Sequence, residues 1–304
     1  MSSFSPSMEQ IQKLRKKTDA KMIDCKNALI ESEGDMPKAE EWLRKKGAIT
    51  AAKLAGSAAG DGVVVAGVSP GKGWIMEINC QTDFVSRAPE FREFAKDVFG
   101  HLCTLENPTM DALKNISCSC PEGETMTVGD HCVDMVGRFR ENIVLQRLDY
   151  LSITPGSVAA YVHSSMGDGL GKIGVLVSLE SSLSHEILQE IGKKVAMHIA
   201  ATNPLYVRRE DVPQDVVNKE KVFLQEQISK ENKPQDILNK MVEGRLQKFY
   251  QDIVLEEQDY ALEPGQTIKS LVDSFAKAHG SSIAIKSFVK FVLGQGSEEQ
   301  ESHK

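Results

Sequence analysis

The cysteine and histidine residues between positions 118 and 132 are the clearest candidates for metal chemistry in this sequence. One residue separates Cys118 from Cys120, and His131 directly precedes Cys132. A structural zinc site usually has about two to four residues between paired cysteines, because both thiolates must reach one tetrahedral ion from a single turn. The spacing here fits that geometry poorly. We therefore expect free thiols in a surface connection and no metal or other cofactor, with a zinc or thiol enzyme as an alternative.

Two glycine-rich stretches have letters typical of phosphate-binding loops but lie in the wrong structural context. Residues 169–174 match G-x-G-x-x-G, yet they open a predicted strand, whereas a dinucleotide site needs glycines that open a helix facing the phosphates. Residues 67–73 lack the Ser or Thr after Lys72 that would hold magnesium. We therefore expect the glycines of 169–174 to fill a hairpin turn, and we expect no nucleotide site.

No arrangement of side chains typical of covalent catalysis occurs in the sequence. The motif H-E-x-x-H is absent, and the letters G-x-S-x-G at 67–71 stand in a predicted hairpin connection and not at the strand-to-helix turn of a nucleophile elbow. His163 and His198 each lie in an apolar strand or helix, which favours core histidines over catalytic bases. The residues by themselves therefore indicate a soluble binding protein of several domains and not an enzyme.

The composition excludes several classes of protein. Of the 304 residues, 41% are hydrophobic and 26% are charged, as in ordinary globular proteins, so wholesale disorder is excluded. No apolar run approaches the about 18 residues of a membrane helix, and the N-terminus lacks the pattern of a secretory signal. The net charge of −7 argues against a broad basic surface for nucleic acid. The six scattered cysteines indicate reduced thiols, with Cys25, Cys80 and Cys103 in the core, and therefore a cytoplasmic protein.

Residues 1–56 have the pattern of three short helices joined by tight turns. Ser7 begins a capping box at the first helix, the second helix starts near Met22, and Asp35 caps the third. Gly47 is the predicted end of the third helix. This segment has 11 basic and 8 acidic residues, so its charge is +3 and the rest of the chain carries −10. The basic surface is either a solvated helical face or a docking face for an acidic partner.

Strand and helix patterns then alternate in an order that occurs twice. After a linker of small residues at 51–60, each repeat has two predicted strands followed by an amphipathic helix. The predicted segments are strands 63–68 and 74–78, a helix at 91–102 and a strand at 143–151, then strands 158–163 and 173–179 and a helix at 184–201. The repetition predicts two related α+β subdomains side by side.

A charged helical segment interrupts the second of these subdomains. Residues 213–252 have the pattern of an antiparallel helical hairpin with polar outer faces and a turn at 232–234. A helix at 267–279 and a final strand at 283–293 then return to the sheet. The predicted division of the chain is a helical module at 1–56, one core subdomain at 57–152, a second at 153–212 and 253–296, the inserted hairpin at 213–252, and a polar tail at 297–304.

The segment 77–87 is the most specific part of the sequence. It leaves a predicted strand through polar residues, so Phe84 is either tucked beneath the loop or offered to a partner. The run Thr-Asp-Phe-Val at 82–85 resembles the signature of the bacterial elongation factor Ts family. Residues 14–29 are similar to the N-terminal motif of that family, except that Lys21 stands where the family usually has glycine. The turn at Lys21 is therefore expected to differ in shape, or Lys21 to adopt a positive φ.

The resemblance covers about residues 8–296 and implies a fold, a function and a set of contact residues. It implies an α+β protein with an N-terminal three-helix, UBA-like bundle, which acts as a guanine nucleotide exchange factor for the GTPase elongation factor Tu without covalent chemistry. Asp83 and Phe84 would intrude beside the helices that frame the magnesium site of the GTPase, so that GDP leaves. The residues implied at the interface are Thr82, Asp83, Phe84 and Val85 for exchange, Leu14, Arg15, Met22 and Ile23 for N-terminal docking, and His163 as a further contact.

Two further features of the resemblance concern assembly. The hairpin at 213–252 is similar to a projecting coiled coil that can pair complexes of the family into a dimer of heterodimers. The C-terminal helix of some bacterial members is not expected, since 297–304 is a short polar tail. We expect no membrane and no direct nucleic-acid partner. The alternative function is an RNA-associated or ubiquitin-associated-like scaffold that uses the N-terminal bundle.

Overall fold

Three helices form the N-terminal part of the chain: α1 (Met8–Thr18), α2 (Met22–Glu31) and α3 (Met36–Leu54). The computed structural model describes residues 4–18, 20–119, 125–167, 169–228 and 234–295. The predicted capping box of α1 is confirmed, because the Gln10 N–H donates to Ser7 Oγ at 3.2 Å and the Ser7 N–H donates to Gln10 Oε1 at 2.9 Å. Asp35 caps α3, as predicted, by accepting the Lys38 N–H at 3.1 Å.

One expectation about the end of a helix is wrong, and one of the two alternatives for the turn at Lys21 is excluded. Helix α3 continues past Gly47 to Leu54. Gly47 packs against Gly137 of a later helix, and a Cβ on Gly137 would lie only 3.1 Å from the Gly47 Cα. The absence of side chains therefore serves a close helix crossing and not a helix end. Lys21 has a φ of −60° and a ψ of 142°, so its backbone is extended and does not adopt a positive φ.

The first half of the core is a sheet covered on one side by helices. Its elements are β1 (Asp61–Ser69), β2 (Lys72–Cys80), α4 (Asp83–Arg87), α5 (Pro89–Leu102), α6 (Met110–Lys114), β3 (Ser117–Ser119), β4 (Thr125–Thr127), α7 (Val128–Phe139) and β5 (Val144–Ser152). Strand β2 lies between β1 and β5 and is antiparallel to both. The predicted hairpin β1–β2, helix α5 and strand β5 are confirmed, and the structure adds α6 and α7.

The second half of the core repeats this arrangement. Its elements are β6 (Gly156–His163), β7 (Leu170–Gly171), β8 (Ile173–Glu180), α8 (His185–Thr202), α9 (Gln214–Ile228), α10 (Gln235–Ile253), α11 (Ile268–Ala278) and β9 (Ala284–Val292). Strand β8 lies between β6 and β9 and is antiparallel to both. Each half therefore places its second strand between its first and its last, which confirms the predicted repetition. The short strand β7 joins the first sheet by pairing with β1.

The two sheets pack face to face, with helices on their outer sides. Val63 and Val65 belong to the core that the first sheet shares with α5, while Val64 packs with Leu176 of the second sheet. This alternation follows from the period of two in a strand. A Cβ on Gly174 would lie 2.7 Å from Val64 Cγ1, so this glycine permits the close approach of the sheets. The expectation that all glycines of 169–174 fill a turn is therefore wrong for Gly174, which lies within β8.

Each sheet has a polar pair between its second and its last strand. In the first sheet the carboxylate of Glu77 is fully buried, accepts from Arg147 Nε at 2.7 Å and accepts the Gly294 N–H at 2.8 Å. In the second sheet the hydroxyls of Ser178 and Ser287 are 2.8 Å apart. Both pairs lie where the strand register shifts by a bulge. The two halves match even in this irregularity.

Helices α9 and α10 form the predicted hairpin, which leaves the second half between α8 and α11. They pack on each other through Leu224, Ile228 and Val242, and most of the predicted turn at 232–234 lies outside the described residues. At the base, Arg209 Nε donates to Glu257 Oε1 at 2.6 Å, which joins the segment before α9 to the segment after α10. Among the described residues, no helix has the length and apolar character needed to cross a membrane.

Candidate functional site

Phe84 lies where the chain leaves β2, on the one-turn helix α4. Its side chain is 83% exposed, the largest exposure of any large apolar residue in the described part of the chain. The next two residues, Val85 and Ser86, are buried, because consecutive side chains of a helical turn point in different directions. The structure therefore places Phe84 in solvent and not beneath the loop. We call residues 81–88 the Phe84 segment.

The base of the Phe84 segment is held by the connection between α7 and β5. Glu141 accepts two hydrogen bonds from Thr82, one from its backbone N–H at 3.0 Å and one from its hydroxyl at 2.6 Å. The Asn142 N–H donates to Gln81 Oε1 at 3.1 Å. Hydrogen bonds to a charged carboxylate are the stronger kind, so the exposed aromatic ring stands on a firmly attached backbone.

Asp83 lies beside Phe84 at the first position of α4. Its carboxylate is 3.1 Å from Arg87 Nη2, one helical turn later, and both side chains are largely exposed. An exposed ion pair at this spacing contributes little to stability, because water screens it. The Asp83 carboxylate can therefore exchange Arg87 for a cationic group of a partner at small cost.

A second exposed apolar patch lies at the start of α2. Met22 is 42% exposed and Ile23 is 59% exposed, and the exposed Arg15 belongs to the neighbouring helix α1. We call these three residues the docking surface. Leu14, which the sequence analysis placed in the same group, is completely buried in the core of the three helices. Its side chain therefore supports this surface from beneath and does not reach solvent.

Asp24 joins the docking surface to the core of the protein. Its carboxylate accepts from Lys46 Nζ at 2.8 Å and from Arg140 Nη2. Burial by itself raises the pKa of Asp24, but the hydrogen bonds and charges of Lys46 and Arg140 outweigh burial and hold the pKa below its ordinary value. These contacts therefore stabilise the fold above the ordinary carboxylate pKa and are lost as the pH falls through the lowered value.

The two histidines expected in the core have different environments. His198 is fully buried, its Nε2 is 2.9 Å from Gln258 Oε1, and burial lowers its pKa, which confirms the prediction. His163 is the last residue of β6 and is exposed, so the prediction of a core position is wrong for it. Its Nδ1 lies 3.1 Å from the hydroxyl of Tyr161. Its exposure makes His163 accessible to a partner.

The cysteines lie mainly in the interior. Cys118 is buried in the core of the first half, so the predicted surface connection is wrong for it, and Cys120 lies outside the described residues. Cys132 donates to the Ile143 carbonyl at 3.4 Å, and burial raises its pKa to about 11. Burial likewise raises the pKa of Cys80 to about 12. In the described ranges, no group of three or more His, Cys, Asp or Glu side chains is placed to hold a metal ion.

Sequence reasoning missed the residues that hold these surfaces in place. Thr82 and Glu141 are 59 positions apart, and Asp24 and Arg140 are 116 apart. Hydrophobic periodicity and capping patterns reveal only local structure. They therefore cannot reveal either of these contacts between distant positions. The one local hint is the adjacency of Arg140 and Glu141, two charged residues that directly follow a helix.

Comparisons with known proteins match almost the whole chain to one family. The family model described as "Elongation factor TS" matches residues 81–295, and that described as "Elongation factor Ts, mitochondrial, N-terminal" matches residues 2–50. A protein of Parvibaculum lavamentivorans named elongation factor Ts is 40% identical over 99% of this chain and 96% of its own length. Proteins of that name from Rhodospirillum centenum and Bartonella bacilliformis are 40% and 38% identical, over 96% and 98% of this chain and 94% and 96% of their own lengths.

Proposed function

The chain belongs to the elongation factor Ts family of guanine nucleotide exchange factors for elongation factor Tu, and we propose that its Phe84 segment drives nucleotide release. The observation that carries this proposal is the exposure of Phe84 on a base fixed by Glu141 and Asn142. Nothing in the described chain covers the Phe84 ring, so a partner that buries it gains the free energy of removing a large aromatic side chain from water. Its role in translation elongation would be to free the GTPase from GDP.

The free energy for exchange comes from binding the nucleotide-weakened conformation of the GTPase. Coupling between two ligands is reciprocal, so a protein that lowers the affinity for GDP is itself expelled by the same free energy when a nucleotide rebinds. Burial of Phe84 in the complex contributes about 1.5–3 kcal/mol toward this coupling. That is enough to speed release by at least about an order of magnitude.

The Asp83–Phe84 pair would act beside the magnesium site of the GTPase. Phe84 would enter between the helices that frame this site, and the Asp83 carboxylate would engage a polar or cationic group at its rim. Displacing those helices disturbs the magnesium ion and the phosphate loop, so GDP leaves. This step moves the protein surroundings of the nucleotide and breaks no covalent bond.

The docking surface would bring the Phe84 segment to the GTPase. Met22 and Ile23 supply exposed apolar area, and Arg15 belongs to a segment of charge +3 that suits an acidic face of the partner. Such charge complementarity mainly speeds the encounter. His163, exposed on the second half, would contact a distant part of the same GTPase and give leverage.

The hairpin α9–α10 would serve assembly. Val222, Phe223 and Ile237 are exposed on its helices, although the core of the hairpin is formed by other apolar residues. An apolar surface on a projecting hairpin suits contact with a second complex. We propose that it pairs two complexes into a dimer of heterodimers, which the mass of the complex in solution would test.

The release of fluorescent GDP from elongation factor Tu tests the proposed function. We expect a substoichiometric amount of this chain to accelerate release strongly in the presence of excess unlabelled nucleotide. An unchanged release rate with folded protein would contradict the exchange function. Salt-dependent binding to RNA in the same preparation would instead favour the scaffold alternative.

A further inference from the structure

Three of the four residues that connect α7 to β5, residues 140–142, contact both the Phe84 segment and the N-terminal part of the chain. We propose that these three residues set the position of the Phe84 segment relative to the docking surface, and that Glu141 is the main positioning residue among them. The inference rests on the proposed function and names the residues that organise the two surfaces. We call residues 140–142 the joint.

Glu141 holds Thr82, the residue of the Phe84 segment that directly precedes α4. A threonine that precedes a helix ordinarily accepts a hydrogen bond from a backbone N–H of the first turn. Thr82 makes no such cap, and its hydroxyl donates to Glu141 Oε1 at 2.6 Å. The other oxygen of Glu141 accepts the Thr82 N–H at 3.0 Å. One carboxylate therefore fixes both the backbone and the side chain at the start of α4.

Asn142 adds a second contact next to the one between Glu141 and Thr82. Its backbone N–H donates to Gln81 Oε1 at 3.1 Å, and its side-chain Nδ2 donates to the Ser57 carbonyl at 2.7 Å. Ser57 lies shortly after the end of α3. The joint thus holds the Phe84 segment and the chain that enters from the N-terminal helices at once.

Arg140 connects the joint to the docking surface. It ends α7 in the left-handed conformation, with a φ of 59°, where glycine would be less strained. Its guanidinium contacts Asp24, which directly follows Ile23 of the docking surface. One turn earlier, Gly137 packs on Gly47 of α3. Arg140 is therefore both the strained residue and the one whose side chain contacts the N-terminal helices. A glycine would relieve the strain but could not make that contact.

The arrangement matters for exchange because two surfaces must engage one partner together. If the joint holds them at a fixed separation, docking delivers Phe84 to its place without a further loss of conformational freedom. If the joint is loosened, the chain still docks through α1 and α2 but delivers Phe84 less often. We therefore expect the maximal exchange rate to fall more than the half-saturating concentration rises.

Glu141→Ala and Glu141→Gln test the positioning role with two measurements. In the free chain, deuterium uptake of peptides covering 81–88 should rise about tenfold in rate for Glu141→Ala. In exchange assays with elongation factor Tu and fluorescent GDP, its maximal rate should fall about fivefold. Glu141→Gln should bring both the deuterium uptake and the maximal rate close to the wild-type values, because the carboxamide oxygen still accepts the Thr82 N–H. Glu106→Ala, which removes an exposed carboxylate elsewhere in the first half, should match the wild type.

Two further variants distinguish the loss of contacts in the joint from a general loss of stability. Thr82→Val keeps the shape of the side chain and removes only its hydroxyl, so it should reduce the maximal rate about twofold even if Glu141→Ala folds poorly. Arg140→Gly relieves the left-handed backbone and removes only the contact with Asp24. It should lower the maximal rate about threefold, with a smaller rise in the half-saturating concentration, while its melting temperature stays at or near that of the wild type.

The outcomes distinguish this inference from the proposed function. Unchanged deuterium uptake at 81–88 in Glu141→Ala would overturn the positioning role, whatever the exchange rate. Raised uptake with an unchanged maximal rate would overturn it as well, since a loosened segment would then work equally well. If the wild-type chain fails to accelerate GDP release, the proposed function fails, and the uptake measurements on the free chain still decide whether Glu141 positions the Phe84 segment.

Discussion

The two halves of the core share one framework and differ in the connection that follows the second strand. In both, the second strand lies between the first and the last, and a bulge falls between the second and last strands. In the first half the chain passes from β2 to α5 through the Phe84 segment, which includes the extra turn α4. In the second half it passes from β8 to α8 directly, through residues 181–184.

The contrast between these connections lies in where their apolar residue points. Phe84 is exposed, whereas Leu183 of the second connection is half-buried against the core of its own half. The second connection is also bonded inward, since Ser181 Oγ donates to the Ser282 carbonyl at 2.7 Å. The shared framework supplies stability, and the connection that turns outward is the one we propose for partner binding.

The largest effect we expect concerns the polar pairs inside the framework. Glu77→Ala removes a fully buried carboxylate that both Arg147 and the Gly294 N–H contact, so the free energy of unfolding should fall by about 3–5 kcal/mol. Ser178→Ala at the matching place in the second half removes a neutral hydrogen bond and should cost about 1 kcal/mol. Urea unfolding of both variants measures the difference. Equal losses would mean that the two halves are held together in the same way.

The next effect separates the two connections by function. Phe84→Ala should lower the acceleration of GDP release at least about tenfold, because it removes about 1.5–3 kcal/mol of apolar burial from the complex. Its stability should hardly change, since the ring is exposed in the free chain.

Leu183→Ala is the matched control from the second half. It should lower stability by about 1–2 kcal/mol and leave the exchange rate per folded molecule unchanged, because this side chain packs inward. Full activity of folded Phe84→Ala would contradict the role of the exposed ring. Loss of exchange in folded Leu183→Ala would contradict the assignment of partner binding to one connection.

The sequence predicts the framework because its signals are local. Ser7 and Asp35 mark helix starts through bonds to residues three positions away, and both caps are present. Gly47 misleads for the opposite reason, since the helix that requires it is far away in the sequence. The sequence by itself does not distinguish a glycine that ends a helix from a glycine that lets a second helix pack closely.

The candidate site also has features that the sequence predicts and features that depend on contacts between distant positions. The type and place of Phe84 could be read from the residues, but its exposure could not, because a loop residue after a strand is compatible with either orientation. The base of the segment that carries Phe84 is held by Glu141 through Thr82, a contact across 59 positions. His163 was misplaced because its neighbours Val162 and Tyr161 suggest a core strand, whereas the strand ends at His163 and leaves it in solvent.

A smaller effect distinguishes docking from release within the first part of the molecule. Ile23→Ala truncates an exposed side chain of the docking surface and should weaken binding by about 1 kcal/mol, or about fivefold. We expect the half-saturating concentration to rise and the maximal rate to stay near that of the wild type. Phe84→Ala should show the reverse pattern. A fall in the maximal rate alone for Ile23→Ala would remove the distinction between the two surfaces.

The smallest effect tests whether the second half touches the partner at all. His163→Ala removes an exposed imidazole whose ring nitrogen lies near the Tyr161 hydroxyl, and loss of one hydrogen bond to the GTPase would lower exchange efficiency about twofold to threefold. Tyr161→Phe serves as the control, because it removes the hydroxyl and leaves the imidazole in place. If both variants match the wild type, partner binding lies in the first half and the N-terminal helices, and the second half contributes framework alone. If His163→Ala lowers activity and Tyr161→Phe does not, the end of β6 is a second contact, and the outward-turned connection is not the only functional feature of the duplicated core.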